Sequence, residues 1–113
     1  MKNYFEFELN DKIVKAYTTL ENLFEIESAG INLAQTFLNI LNGKILSFTD
    51  ARKILNLAIK ADLENIKDRA EFVKDYFEFN KFKACDQVSA FILEAVKTPT
   101  DKDNLESEAS EKK

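Results

Sequence analysis

Chain breakers are scarce in this sequence, and their scarcity constrains the fold more than any other feature. Two glycines and one proline occur in 113 residues, while hydrophobic residues make up 45% of the chain. An all-β domain needs turn signals at short, regular intervals, so this composition favours long helices joined by short connections. The length fits one domain with its own core. We therefore predict a mainly α (α+β) fold with a compact bundle of about five helices.

The first segment is the exception, because residues 4–17 have the pattern of a two-stranded β-hairpin. Asn10 and Asp11 tolerate positive φ, which a two-residue hairpin loop requires. That loop fixes the register, which places four apolar side chains on one face: Phe5, Phe7, Val14 and Ala16. An isolated hairpin is marginal in water, so this face must pack on the helices that follow.

Apolar residues at helical spacing follow the hairpin and predict an inward stripe for each helix. The first stripe consists of Leu20, Leu23, Phe24 and Glu27. The second consists of Ala34, Phe37, Leu38 and Leu41. The third consists of Ala51, Ile54, Leu55 and Ala58, and the last of Ala84, Val88, Phe91, Ile92 and Ala95. Thr18 or Thr19 is predicted to cap the first helix, Ser47 the third and Asn80 the last, and Gly30 and Gly43 to end the first two helices.

The tetrapeptide YFEF occurs at residues 4–7 and again at 76–79, where the surrounding period is helical. One stripe of this helix consists of Ile66, Ala70, Val73 and Phe77. A second stripe, roughly 110° around the axis, consists of Phe72, Tyr76 and Phe79. Either the helix lies between two others and buries both stripes, or the second stripe forms an exposed aromatic patch. On the second interpretation the partner-binding residues are Phe72, Tyr76, Phe79 and nearby Phe82. Association through an apolar stripe would give a homo-oligomer, with a dimer as the default.

The last residues differ in composition from the rest of the chain. Residues 98–113 contain five acidic and three basic side chains, and Leu105 is their single large apolar residue. Such a segment buries too little surface to offset its ordering entropy. We expect a disordered, acidic tail at 98–113 and one domain at 1–97, with the hairpin at 3–17 and the helical body at 19–97.

Residues typical of catalytic and metal sites are missing. Histidine is absent, and one cysteine cannot form a thiolate zinc site. With two glycines, the chain has no glycine-rich phosphate loop. Cys85 follows Ala84 on an inward stripe and is expected to be a core thiol. The carboxylate pairs Asp68/Glu71 and Asp75/Glu78 alternate with Lys67, Arg69 and Lys74, as on a solvated helix face. We expect no catalytic residue, no metal and no cofactor, and therefore no enzyme.

Charge and hydropathy limit the partners. The net charge of −4 and the dispersed lysines disfavour nucleic acid. The longest uncharged stretch, residues 28–43, is too short and too polar to cross a bilayer. The N-terminus lacks the pattern of a signal peptide, and a single cysteine fits a reducing compartment. These features predict a cytoplasmic protein whose partner is another protein.

Three stretches resemble a known family. Residues 18–27 form an apolar-spaced helix that ends in Glu27, and residues 41–59 contain Gly43, a short spacer, Leu46-Ser47, Asp50 and an Ile54-Leu55 helix. Residues 79–96 form a final helix with small and apolar positions. This order resembles the small tail assembly chaperones, also described as tail-tube-associated proteins, of long-tailed phages and gene transfer agents. The family often has glycine at the hairpin turn and before the last helix, where this chain has Asn10-Asp11 and Asn80.

The resemblance implies a non-enzymatic assembly factor in the bacterial host cell that binds tape-measure and/or tail-tube protein during tail morphogenesis. Two other functions remain open. The first is a structural virion component (tail tube, connector or completion protein), which would stay in purified particles. The second is a small helical regulator that binds a host protein or nucleic acid, although residues 47–60 offer only one Arg and two Lys for a helix-turn-helix.

Overall fold

The computed structural model describes residues 3–97 and confirms an N-terminal hairpin followed by five helices. The elements are β1 Tyr4–Leu9, β2 Lys12–Tyr17, α1 Leu20–Ser28, α2 Leu33–Leu41, α3 Phe48–Ala58, α4 Ile66–Asn80 and α5 Phe82–Lys97. One hydrophobic cluster includes residues from both strands and all five helices. The predicted tail, residues 98–113, lies outside the described residues.

The hairpin has the predicted loop and register. Asn10 and Asp11 adopt φ values of 49° and 70°, and β1 pairs antiparallel with β2 in the register that sets Phe7 opposite Val14. Phe7 is buried, and its ring centroid lies 5.5 Å from that of Tyr76 and 6.4 Å from that of Phe91. The apolar face of the hairpin therefore packs on α4 and α5, which supplies the support that an isolated hairpin lacks.

Polar side chains attach the outer edge of β2 to the helical body. The Lys15 backbone N–H donates to Asp62 Oδ2 at 2.9 Å. Asn22 Nδ2 of α1 donates to the carbonyl oxygens of Tyr17 at 2.7 Å and Ala58 at 3.0 Å. Buried backbone acceptors need such partners, so Asn22 fixes the position of α1 between the hairpin and α3.

Most predicted helix ends are confirmed. Thr19 Oγ1 accepts from Asn22 N, and Ser47 Oγ accepts from Asp50 N. Gly30 and Gly43 follow the ends of α1 and α2 with positive φ, at 100° and 84°.

The predicted cap at Asn80 is wrong. Asn80 is the last residue of α4, and its side-chain amide donates to the Tyr76 carbonyl oxygen at 2.9 Å. The chain then reverses at Lys81, which has φ 56° and ψ −128°. Asn80 therefore stabilises the end of α4 rather than the start of α5.

The inward stripes of α3 and α5 are buried as predicted, and so is Cys85. Burial, followed by the nearby Asp86 carboxylate, raises the pKa of the Cys85 thiol. Its burial places this thiol in the core, and both effects disfavour the reactive thiolate.

The predicted inward faces of α1 and α2 are wrong. In α1, Leu20 and Phe24 are exposed, while Asn22 and Ile26 are buried. In α2, Leu33 is the buried residue, and the predicted stripe of Ala34, Phe37, Leu38 and Leu41 lies partly or fully at the surface. The hydrogen bonds of Asn22 determine which side of α1 faces the core. The spacing of apolar residues along the sequence does not reveal these hydrogen bonds.

Candidate protein-binding surface

The inward face of α4 lies between the two stripes that the sequence predicts. Its buried residues are Arg69, Phe72, Val73, Tyr76 and Phe77. They are spaced as one helical face at i, i+3, i+4, i+7 and i+8. The outer members of both predicted stripes, Ile66 and Phe79, therefore point to solvent and are 75% and 74% exposed.

Two of the four predicted partner-binding aromatics are core residues. Phe72 and Tyr76 are each 4% exposed, and their rings stack at a centroid distance of 5.8 Å. Their prediction as part of an exposed patch is wrong, because the hairpin covers this side of α4 through the contact between Phe7 and Tyr76. Phe79 and Phe82 are 74% and 62% exposed and stay available to a partner.

Burial also changes the acidity of Tyr76. Loss of hydration around the phenolate raises its pKa from 10.0 to about 12. The unfolded chain therefore releases this proton at a lower pH than the folded chain does. Between these two pKa values the unfolded state binds fewer protons, so stability falls as the pH rises from 10 towards 12. Below pH 10 the shift makes no difference to stability.

Tyr76→Phe is expected to remove this alkaline loss of stability. Phenylalanine fills the same space without an ionisable hydroxyl, so the variant should gain stability relative to the parent protein as pH rises above 10. Urea unfolding of both proteins at pH 9, 10.5 and 11.5 measures the difference. Parallel dependences on pH would show that the Tyr76 hydroxyl ionises equally easily in the folded and unfolded chains.

Three exposed aromatic residues lie close to the junction of α4 and α5, and we call them the aromatic corner: Phe48, Phe79 and Phe82. Phe48 and Phe82 stack with centroids 4.9 Å apart and planes at 24°, and Phe48 also meets the buried Phe77 edge-on at 6.4 Å. Phe79 precedes Phe82 by three residues, so their Cα atoms lie within about 11 Å. Phe48 and Phe82 are therefore connected to the core through Phe77, whereas Phe79 makes no ring contact among residues 3–97.

The sequence did not identify Phe48. It lies one turn before Ala51, at the edge of the α3 stripe, and directly follows the N-cap Ser47. A large ring at the first position of a helix has no preceding helical turn to cover it. The place of Phe48 directly after the N-cap is therefore the sequence feature that indicates its exposure.

The exposed side of α2 adds aliphatic surface, and we call it the α2 flank: Ala34, Leu38 and Leu41. Leu38 and Leu41 are more than half exposed. The opposite, inward side carries Leu33 and Ile40, roughly 110° around the axis. The helix therefore has more apolar surface than its contacts with α1 and α5 cover.

The α2 flank and the aromatic corner are connected through the loop between α2 and α3. Ile45 in this loop is exposed, and it precedes Phe48 by three residues, which limits their Cα separation to about 11 Å. We refer to the flank, Ile45 and the corner together as the apolar surface. Single exposed apolar residues are ordinary, but a series of neighbouring ones is typical of interaction sites. Lys44, Lys81 and Lys83 are exposed and are sequence neighbours of Ile45 and Phe82, so charged side chains accompany this apolar surface.

A groove of about 590 Å³ with several charged residues in its lining lies elsewhere on the molecule, between α1 and the segment after α3. Its lining includes Glu21, Glu25, Glu64 and Lys60, and Lys60 Nζ lies 3.4 Å from Glu25 Oε1. Across residues 3–97, no three or more His, Cys, Asp or Glu side chains are grouped so that they could hold a metal ion. The groove therefore presents charge to solvent without an assembled metal site.

Comparisons with known proteins do not indicate a function, so the fold and the apolar surface are the basis for proposing one. No known family, no curated protein and no solved structure matches this chain. Among the helices of residues 3–97, none is both long enough and apolar enough to cross a membrane.

Proposed function

We propose that this chain is a non-enzymatic tail assembly chaperone that binds a tape-measure and/or tail-tube protein in the bacterial cytoplasm through the apolar surface. The observation that carries the proposal is the exposure of Phe79, Phe82 and the α2 flank in a domain that buries the stripes of α3 and α5. The resemblance of residues 18–27, 41–59 and 79–96 to tail assembly chaperones supplies the class of partner.

The chemistry of the apolar surface fits a helical partner. An amphipathic helix binds by inserting apolar residues at i, i+3, i+4 and i+7 into an apolar site. Aromatic rings are frequent anchors in such interfaces, and the rim around them contributes specificity more than affinity. Phe79 and Phe82 are mostly exposed on the free protein. Most of their ring surface is therefore still available to be buried by a partner, and that burial would favour binding. At about 25 cal/mol per Å² of apolar area, two phenylalanine rings represent several kcal/mol.

Co-purification tests the proposal. The chain is co-expressed with the tape-measure protein of its own genome and, separately, with the tail-tube protein. We expect at least one of them to co-purify with the parent chain. The double variant Phe79→Ser/Phe82→Ser should reduce the recovered partner at least about tenfold, because loss of 1.4 kcal/mol already weakens binding tenfold. The matched control is Ile66→Ser, which removes an equally exposed apolar side chain from the opposite end of α4, about 20 Å away.

Two results would contradict the proposal. One is equal recovery of partner with the double variant and the control while both variants remain folded. The other is finding the chain as a stoichiometric part of purified particles, which would favour the structural virion component.

A further inference from the structure

Among residues 3–97, no strand pairs with the outer edge of β1. In β2, the Lys15 N–H points away from β1 and donates to Asp62. Lys15 is the cross-strand neighbour of Glu6, so this pair exchanges no ladder hydrogen bonds and Glu6 also directs its backbone groups outward. Glu8 lies two residues on and has the same orientation. Within residues 3–97, the outward backbone groups of Glu6 and Glu8 have no hydrogen-bond partner.

The two edges of this small sheet therefore differ. Asp62 and Asn22 occupy positions along the outer edge of β2. Along β1, Glu6 and Glu8 are exposed. An open edge offers a row of donors and acceptors to an added strand, which is how many proteins bind extended peptides.

Acidic side chains outnumber basic ones at the turn end of the hairpin beside this edge. A groove of about 270 Å³ lies where the turn end of the hairpin meets α4, with Leu9 and Phe72 as apolar lining. Asp68, Glu71 and Asp75 of α4 also line it, together with Lys12 of β2. Among the described residues, neither these three carboxylates nor Glu6 and Glu8 form an ion pair. A strand that brings cations to the solvent face of this edge would therefore meet the carboxylates of Glu6 and Glu8 without displacing an ion-pair partner.

A second copy of β1 is a poor occupant. Antiparallel pairing of two β1 strands about their centre sets Glu6 opposite Glu6 or Glu8 of the other copy, on the solvent face. Like charges directly opposite are destabilising in a sheet, and charged edges are a common protection against self-pairing. The same carboxylates favour Lys or Arg in a strand from a different protein.

We infer that the open edge of β1 binds an extended protein segment with Lys or Arg at alternate positions, as a third strand. Its basic residues would lie beside Glu6 and Glu8, and its intervening apolar residues would lie on the face of Phe5 and Phe7. The edge is separate from the apolar surface, and the inference does not depend on the proposed function.

Two synthetic hexapeptides test the inference on the full chain labelled with ¹⁵N. The probe has the sequence Lys-Val-Lys-Val-Lys-Val, and the control has the same composition as Lys-Lys-Lys-Val-Val-Val; both carry blocked ends. At about ten times its dissociation constant, the alternating peptide should slow amide hydrogen exchange of Glu6 and Glu8 about tenfold. The control peptide should change these rates less than twofold. Glu6→Gln/Glu8→Gln should weaken binding of the alternating peptide at least about fivefold, while the matched pair Glu21→Gln/Glu27→Gln on α1 should change it less than twofold.

Three results would overturn the inference. The first is equal binding of the two peptides, which would indicate attraction by net charge alone. The second is binding of the alternating peptide without protection of Glu6 and Glu8, and the third is no binding. Protection that rises with protein concentration in the absence of peptide would also overturn it, because the occupant would then be a second copy. Both glutamates are exposed, so the glutamine variants should stay folded, which circular dichroism checks.

Discussion

Phe72→Ala is expected to lower the free energy of unfolding by about 3–4 kcal/mol, whereas Phe79→Ala should change it by less than about 0.5 kcal/mol. Phe72 is buried against Tyr76, and its removal leaves a cavity in addition to the lost transfer free energy. Phe79 is mostly exposed and makes no ring contact among residues 3–97. The first loss is a large share of the 5–15 kcal/mol that stabilises a typical domain. Urea unfolding followed by far-UV circular dichroism measures both.

The two substitutions are matched controls for each other. They make the same chemical change on the same helix, so any difference in intrinsic helix propensity is small. A loss of several kcal/mol on Phe79→Ala would mean that Phe79 is covered, and the aromatic corner would then be part of the core. Equal, small losses would instead show that the hairpin does not cover Phe72.

Arg69→Met is expected to lower the free energy of unfolding by about 2–4 kcal/mol. Arg69 is 8% exposed. Its Nη1 donates to the carbonyl oxygens of Leu63 at 2.9 Å and Glu64 at 3.1 Å, and its Nε donates to Asn56 Oδ1 at 3.2 Å. Methionine keeps the apolar stem but removes every donor, which leaves partly buried acceptors unpaired. The variant should unfold at lower urea concentration than the parent chain.

Two comparisons identify the cause. Arg69→Lys keeps the charge but lacks the planar set of donors, so we expect an intermediate loss. Arg52→Met, on the exposed side of α3, should cost less than about 0.5 kcal/mol. If Arg69→Met is as stable as the parent chain, Arg69 does not hold the segment between α3 and α4 in solution.

Local parts of the fold follow directly from the sequence. The Asn10-Asp11 loop determines the hairpin register, because each strand residue has one possible partner once the turn is fixed. The α3 stripe and the α5 stripe are predictable for a similar reason. Both helices have one clear apolar side, and packing in the centre of the molecule leaves no alternative.

The orientation of α1 and α4 depends on polar residues that bind backbone groups outside their own helices. Asn22 bonds carbonyl groups of Tyr17 and Ala58, and Arg69 bonds those of Leu63 and Glu64. From the sequence, Arg69 has the pattern of a solvated charge among acidic neighbours. The sequence around a polar residue does not show which backbone groups it binds after folding. The apolar pattern alone therefore does not predict how α1 and α4 are rotated about their axes.

The candidate surface could be predicted only in part from the sequence. Helical spacing identifies apolar stripes but does not tell whether a neighbouring element covers them. The hairpin covers Phe72 and Tyr76, while no described element covers Phe79, Phe82 or the α2 flank. The excess of apolar surface could be inferred from the sequence; which residues carry it required the positions of all seven elements.

Amide hydrogen exchange of the chain with and without its bound partner tests most directly whether the apolar surface binds protein. The tape-measure or tail-tube protein is added to saturation, and exchange is compared by mass spectrometry. We expect new protection in peptides that contain the second half of α2, the loop to Phe48 and residues 78–84, with residues 51–58 of α3 unchanged because they lie outside the apolar surface. If the complex forms and none of these three regions is protected from exchange, the apolar surface is not where the partner binds.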